Sequence, residues 1–422
     1  MKTNETLLDL LSSNNFLYDA WNQLKKEDET SHGLSGITIE QFKKDLNNNI
    51  DNISKSLKNK TYRFSPTRAA IIKKDNGKYR PLQIPEIADR VVLKAISCLL
   101  SNELQIFLQK SEDISFAYQK GKGVREAVLK MKSTYKKGDV ILKADIINFF
   151  EEVKKDDLLN KQIFPNLKDD SINKLIKNSI SQKLGGLRRI KREYRVLFKN
   201  AKSGIPQGNP LSPLLSNIYL SDFDLYIKNQ GYTIIRYADD FIVIFNSEKE
   251  AKEGYKKIRI YLNEKFSLNI HPLDSKNDKT KIINPEKSEI SFLSIKFDGI
   301  NIYPSKDTIG ILKNRIRKII KTGELNSQLF TDIYKEIKKW IAIYSYLDID
   351  RYFSDIDNYL ISQLNKTFGQ KKYKTTKCNK LAHNVRNKQF EKSSKSFWRN
   401  QELKNILPNF IRRKKLQQTQ LV

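Results

Sequence analysis

Residues 233–245 read Thr-Ile-Ile-Arg-Tyr-Ala-Asp-Asp-Phe-Ile-Val-Ile-Phe. Two β-rich apolar runs flank a four-residue polar centre, so the stretch predicts a hairpin with Asp239 and Asp240 at its tip. An Asp-rich turn also arises for local reasons, because Asp caps backbone groups and tolerates turn geometry. A second acid bears on the choice. The run from Val140 to Phe150, Val-Ile-Leu-Lys-Ala-Asp-Ile-Ile-Asn-Phe-Phe, reads as a buried strand ending in Asp145. An unpaired carboxylate after so many apolar residues is costly to bury. Three carboxylates on neighbouring strand ends have the chemistry to hold two Mg²⁺ ions about 3.5–4 Å apart, which stabilises attacking and leaving oxygens in phosphoryl transfer. Hard oxygen donors suit Mg²⁺, and no His/Cys cluster competes with a zinc site.

Between the acids lies Ser-Gly-Ile-Pro-Gln-Gly-Asn-Pro-Leu-Ser, residues 203–212. Gly204 and Gly208 permit close approach of backbone to a ligand. Gln207 offers an amide to a base or sugar, and the Ser-rich helix start is expected to supply N–H donors. A capped loop explains the prolines and serines but not the dense Gly-Ile-Pro-Gln-Gly. Upstream, Lys73, Lys74, Lys78 and Arg80 crowd a predicted hairpin around Asp75-Asn76-Gly77. They could grip a triphosphate or form a solvated face.

The rest of the 422 residues sets the context. Polar helices are expected over 1–60, one helix over 86–110, another from Gly123, and helical stretches from about Lys154 to Lys183. A long helix follows from Leu211 to Gly231, then a helix from Glu248 and a closing β-region to Tyr303. Interleaved strands and helices between about 60 and 305 predict an α/β or α+β catalytic unit. After Pro304 the chain reads as helical, with Ile316, Ile319, Ile320, Trp340, Ile343, Tyr344 and Leu347 marking core faces. The net charge of +30 calls for a polyanionic partner. No apolar run approaches the ~20 residues that span a bilayer, the first residues lack a leader's apolar stretch, and Cys98 and Cys378 exclude a disulfide framework. The expectation is a soluble, cytoplasmic nucleic-acid-handling protein with no membrane association.

The blocks Leu-Lys-Ala-Asp-Ile-Ile-Asn-Phe-Phe, Gly-Ile-Pro-Gln-Gly-Asn-Pro-Leu-Ser-Pro-Leu-Leu-Ser-Asn, Arg-Tyr-Ala-Asp-Asp-Phe-Ile-Val-Ile-Phe and the earlier Lys-Tyr-Arg-Pro-Leu-Gln-Ile-Pro resemble, in order, those of bacterial reverse transcriptases of the group II intron and retron lineage. The likeness covers about residues 25–360. It implies an α+β right-hand polymerase: an N-terminal helical extension (1–60), fingers (61–135), a palm with finger insertions and an antiparallel sheet carrying the Asp-Asp hairpin (136–304), a helical thumb (305–365) and a basic tail (366–422). It implies that Asp145, Asp239 and Asp240 bind two Mg²⁺ with help from the carbonyl of Ile146. Phe150 would exclude a 2′-hydroxyl, Gln207 and Gly208 would line the nucleotide and template pocket, and Lys73 and Arg80 would hold the triphosphate. Tyr237 would pack near the primer end, Lys281 would be the palm lysine, and the stretch from Ser115 to Val128, with Lys120 and Arg125, would lie against the template.

Departures narrow the subgroup. Ser35 stands where intron enzymes usually have an acid, and Ser294 replaces the glycine of Phe-Leu-Gly, which puts the local turn geometry in question. No Cys/His-rich endonuclease, integrase-like or ribonuclease H segment is attached, and the Val-Thr-Gly and Asn-Ala…His features of retron enzymes are missing. The chain therefore looks most similar to stand-alone anti-phage reverse transcriptases, which copy a structured non-coding RNA from dNTPs through an RNA/DNA hybrid. A maturase, or a template-independent polymerase primed on a protein hydroxyl, remains the competing expectation; the sequence does not give the oligomeric state. Residues 366–422 carry sixteen Lys/Arg against two Glu. Interleaved aromatics make Tyr373, Phe397, Trp398, Arg412 and Arg413 candidate RNA contacts, with a disordered solubilising tail as the alternative.

Overall fold

The computed structural model describes residues 5–24, 28–73, 77, 79–273, 279–324 and 327–368. The expected RNA contacts at Tyr373, Phe397, Trp398, Arg412 and Arg413, and the hairpin lysines Lys74 and Lys78, lie outside the described residues. No helix among the described residues is long and apolar enough to cross a membrane.

Apolar side chains at helical spacing put the N-terminal helices into a common core. Leu7, Leu11, Leu17, Trp21, Ile50 and Leu57 are buried in the same cluster as the central helices. The single helix expected over 86–110 is two, Ile87–Glu103 and Gln105–Lys110. The break falls at Leu104, whose side chain is itself fully buried. The helical stretch expected after Lys154 is likewise fragmented: a short helix, a π-helical turn over Leu158–Ile163, a 3₁₀ turn over Phe164–Asn166 and a helix over Asn173–Ser179. Pro165 has no N–H to continue a helical ladder.

Seven strands matter for the site: β1 (Thr67–Lys73), β2 (Tyr79–Ile84), β3 (Val140–Asp145), β4 (Leu184–Gly185), β5 (Thr233–Tyr237), β6 (Asp240–Phe245) and β7 (Lys281–Ile283). β1 and β2 form the predicted antiparallel hairpin, and β4 adds to β1 in parallel. The other four make an antiparallel sheet in the order β5-β6-β3-β7. Side chains alternate across a strand. Val140, Leu142 and Ala144, with Phe241, Val243 and Phe245 opposite them, enter the main core. Lys143 and Asp145 on β3, with Ile242 and Asp240 opposite, share the other face. One face therefore builds the main core, while its reverse buries Ile141 and Ile242 and carries charge only towards the end where Lys143, Asp145 and Asp240 lie.

Two compact units divide the chain, the first running to Leu293 and taking in Phe297–Ile300, the second comprising Ser294–Lys296 and the chain from Asn301. The helices Lys306–Thr322, Ser327–Tyr344 and Phe353–Phe368 belong to the second. Ile316, Ile320, Trp340 and Leu347 are buried as expected, whereas Ile343 is 59% exposed. The buried stripe of the middle helix runs through Leu329, Ile333 and Trp340 instead.

The two serine departures are accommodated differently. Glu86 accepts from the Ser35 backbone N–H and hydroxyl at 2.7 Å each, so the acid comes from elsewhere in the chain. Leu293 and Ser294 both take left-handed conformations, φ 53° and 62°. That backbone costs a residue with a Cβ about 1–2 kcal/mol. Glycine would relieve it but raise the unfolded chain's entropy. Ser294→Gly is expected to stabilise the chain by about 0.5–1 kcal/mol net, read as a shift in the denaturant midpoint at unchanged slope; a lower midpoint would show that the serine side chain contributes contacts worth more than the strain.

Candidate active site

The hairpin turn is tighter than the four-residue polar centre suggests. Tyr237 pairs directly with Asp240 in the ladder, leaving a two-residue turn of Ala238 and Asp239. Asp239 sits at the tip, but Asp240 is a strand residue on the same face as Tyr237. Asp240 also stands opposite Asp145. On the other side of β3, Lys143 pairs with Lys281 and Ile141 with Ile283, a register that carries Lys279 opposite Asp145. The Lys279 ammonium does form an ion pair and hydrogen bond with the Asp145 carboxylate. Asp145 is thus flanked by an acid on one strand and a lysine on the other. The structure puts Lys279, rather than Lys281, at the carboxylates; Lys281 lies two residues along the strand, beside Lys143.

Burial dominates the electrostatics. It pushes the Asp240 carboxyl up to about 7; Lys143 opposes that shift, and Asp145 and Asp239 add to it. Burial, then the charge of Asp145, also raises Asp239. Burial works against the Lys279 charge, but the hydrogen bond and charge of Asp145 outweigh it and hold the ammonium above its usual range. Asp240 Oδ1 is buried without a hydrogen-bond partner. Among the described residues, no three His, Cys, Asp or Glu side chains are placed close enough to enclose a metal ion. The chemistry nevertheless fits a hard cation: crowded oxygen donors disfavour their own charges, one buried carboxylate oxygen is orphaned, and an ammonium already rests on Asp145.

A buried arginine sets the turn. Arg236 is 0% exposed and donates to both oxygens of Asp224, at 2.7 and 2.5 Å. It also donates to Asn217 Oδ1 at 3.2 Å and to the carbonyl of Ala238 at 2.9 Å. Ala238 has φ 60°, a conformation that an alanine needs external support to keep. Ser115 donates to Asn217 Oδ1, and Asn217 to the Ala117 carbonyl, both at 2.9 Å. A lone arginine within an apolar strand signals such a partner, because its charge cannot be buried unpaired.

The glycine loop is held against the site by backbone. Ile205 donates to the Phe150 carbonyl at 2.8 Å, and a Cβ on Gly204 (φ 61°) would fall 1.9 Å from that oxygen. Gln83 donates to the Gln207 carbonyl at 2.8 Å, and a Cβ on Gly208 (φ 99°) would crowd the Gln83 oxygen at 2.9 Å. Only glycine meets both constraints. The serines at the following helix start do not cap it. Ser212 donates to the Pro206 carbonyl, and the Asn209 side chain accepts from Leu211 N–H at 2.8 Å. Phe149 is buried in the core, while Phe150 is half-buried beside the loop.

Arg80 is exposed on β2 and bears electrostatically on Asp239, as does Tyr118. Tyr118 was not singled out by the sequence; it is 54% exposed at φ 61°. Lys73, Lys120 and Arg125 are exposed, and the charge environment of Tyr118 includes Asp239. The Ile146 N–H donates to the Asp239 carbonyl at 3.3 Å, which ties the end of β3 to the turn.

The reverse transcriptase (RNA-dependent DNA polymerase) family profile matches residues 71–297, more than half of the 422-residue chain. The chain belongs to that family. This reverse transcriptase chain is 28% identical over 359 residues to an uncharacterized 91 kDa protein in the cob intron of Schizosaccharomyces pombe, covering 71% of this chain and 41% of that one. It is 26% identical over 318 residues to protein YkfC of Escherichia coli, covering 66% and 79%. It is 29% identical over 199 residues to the group II intron-encoded protein LtrA of Lactococcus lactis subsp. cremoris, covering 47% and 31%. The chain thus spans less than half of the fission-yeast and lactococcal proteins. Its mixed helices and sheets are those of the α+β right-hand polymerase class.

Proposed function

We propose that the chain is an RNA-directed DNA polymerase that copies an associated structured non-coding RNA into DNA. The observation that carries this reading is that Asp145 and Asp240 face each other across the sheet with Asp239 in the adjoining turn, their charges opposing one another and one carboxylate oxygen unsatisfied. These three side chains, with the Ile146 carbonyl, would hold two Mg²⁺ ions, which supply charge neutralisation at the reacting phosphate and activation of the primer hydroxyl. The primer 3′-oxygen bonds to the α-phosphorus of a dNTP as the bond to pyrophosphate breaks. Arg80 and Lys73 hold the triphosphate, Gln207 and Gly208 line the nucleotide pocket, and Tyr237 packs at the primer end. The test is extension of a primer annealed to an RNA template by the full chain with dNTPs and Mg²⁺. Failure with every primer chemistry would overturn the assignment. Label transferred from a dNTP to the protein itself would identify priming on one of its own hydroxyls.

A second reading has its own support. The likeness to a group II intron-encoded protein favours a maturase that folds intron RNA. A structured intron around the gene would favour it, and a short non-coding RNA beside the gene would favour the first. The anti-phage role follows the resemblance to stand-alone defence enzymes; phage plating on cells with the gene and its neighbouring RNA, against cells with Asp239→Asn, tests it.

Phe150→Ala is expected to admit ribonucleotides. Phe149 is occupied in the core, which leaves the half-buried Phe150 ring to fill the space of a 2′-hydroxyl. Discrimination between dNTP and rNTP should fall by roughly 10–100-fold, the scale of a few kcal/mol of steric selection. Incorporation of each at equal concentration reads it, and unchanged discrimination in an active variant would place the gate elsewhere.

A further inference from the structure

The segment 187–202 holds seven Lys and Arg and one acid, Glu193. It is built of two 3₁₀ turns, Leu187–Arg189 and Arg192–Phe198. All seven cations are exposed, and among the described residues no acidic side chain forms an ion pair with any of them. Arg189 crowds Arg68 closely enough to work against its charge, although burial is the larger cause of that shift. Like charges this close call for an outside anion.

The segment has a defined seat. Tyr79, Pro81 and Gln83 alternate onto one face of β2. Tyr194 meets Tyr79 with ring centroids 4.4 Å apart, and Gln83 donates to the Ala201 carbonyl at 2.9 Å. Arg195 donates to the Ile190 and Arg188 carbonyls, fixing the chain between the two turns. Beside the aromatic pair, Val196 is 66% exposed. Exposed cations, a half-exposed tyrosine and an uncovered apolar side chain lie on one short segment. Its C-terminal end runs into the loop that carries Gln207.

We propose that segment 187–202, with the Tyr79 face of β2, docks single-stranded RNA. A protein partner would need acids and an apolar footprint larger than one valine, whereas a single strand offers phosphates to the cations and unpaired bases to the tyrosines. This rests on the polymerase reading: the strand beside the nucleotide loop is template that has not yet been copied.

The test uses the full chain and a fluorescent 20-nucleotide unstructured RNA, with the same sequence as an RNA duplex for comparison. Arg188→Ala/Arg189→Ala/Arg192→Ala removes three exposed guanidinium groups. It should weaken single-strand binding at least about 10-fold near 0.1 M salt and lower the log–log salt slope by about 2, at ~0.7 per lost phosphate contact. Tyr194→Ala should weaken single-strand binding about 5-fold or more and leave the duplex unaffected. An unchanged slope in the triple variant, or an equal loss for the duplex with Tyr194→Ala, overturns the proposal. Melting temperatures within 2–3 °C (roughly 1 kcal/mol) of the parent exclude misfolding. Binding is read without dNTPs, so failure here differs from failure of the polymerase reading, in which the parent chain extends no primer.

Discussion

Asp239→Asn is expected to abolish DNA synthesis, by at least about 10³-fold, while raising the melting temperature of the metal-free chain. The two effects have one cause. Burial and the Asp145 charge disfavour the Asp239 carboxylate more than a backbone hydrogen bond, Lys279 and Arg80 favour it, so a neutral amide of the same shape relieves a penalty that these groups offset only in part. Asp240→Asn should behave likewise, and its pH dependence is determined. The folded carboxyl titrates near 7 and the unfolded one at 3.8, so the folded state binds the proton more tightly. Stability attributable to Asp240 is therefore full below about pH 4, falls as pH rises towards 7 and is flat above it. Asp240→Asn removes that slope and at pH 8 gains roughly 2–4 kcal/mol. Primer extension, melting at pH 5 and 8, and RNA affinity of each variant read the three quantities separately. A variant that is inactive because it is less stable would sink the assignment, and so would one that extends primers normally with Mg²⁺ alone.

Local pattern made some of this legible from sequence and register hid the rest. The apolar runs on either side of Tyr237–Asp240 identify the hairpin because alternation is a property of the strand itself. Which acids converge is visible only as far as each lies at a strand end. Lys279 was out of reach: two lysines flank Thr280, and choosing between them requires knowing that Lys281 pairs with Lys143. A shift of two residues would exchange them without altering which face either occupies. Leu104 and Pro165 show the opposite limit, where a continuous helical pattern in sequence is interrupted by a buried turn or a missing N–H. The Arg236–Asp224 pair left a signal in the lone arginine of an apolar strand, but its partner lies on a helix whose buried face is not obvious from its mixed composition.

Arg236→Met is expected to cost about 3–5 kcal/mol, because it leaves Asp224 buried and unpaired. That loss alone does not separate a structural arginine from one that positions the metal-binding turn. The double variant Arg236→Met/Asp224→Leu does, since replacing both halves of a buried pair with apolar groups of similar size is often neutral. Most of the stability should return. The Ala238 carbonyl, however, still lacks the donor that holds the left-handed turn, and Asp239 is the next residue. A displacement of an ångström at a reacting centre is worth about 10²-fold in rate. The double variant should therefore melt near the parent temperature yet extend primers about 10²-fold more slowly at saturating dNTP, and need more Mg²⁺ to reach half its maximal rate. Recovery of both stability and rate would reduce Arg236 to a packing residue; recovery of stability alone would show that a helix acid on the core side of the sheet sets, through Arg236, where Asp239 meets the metal.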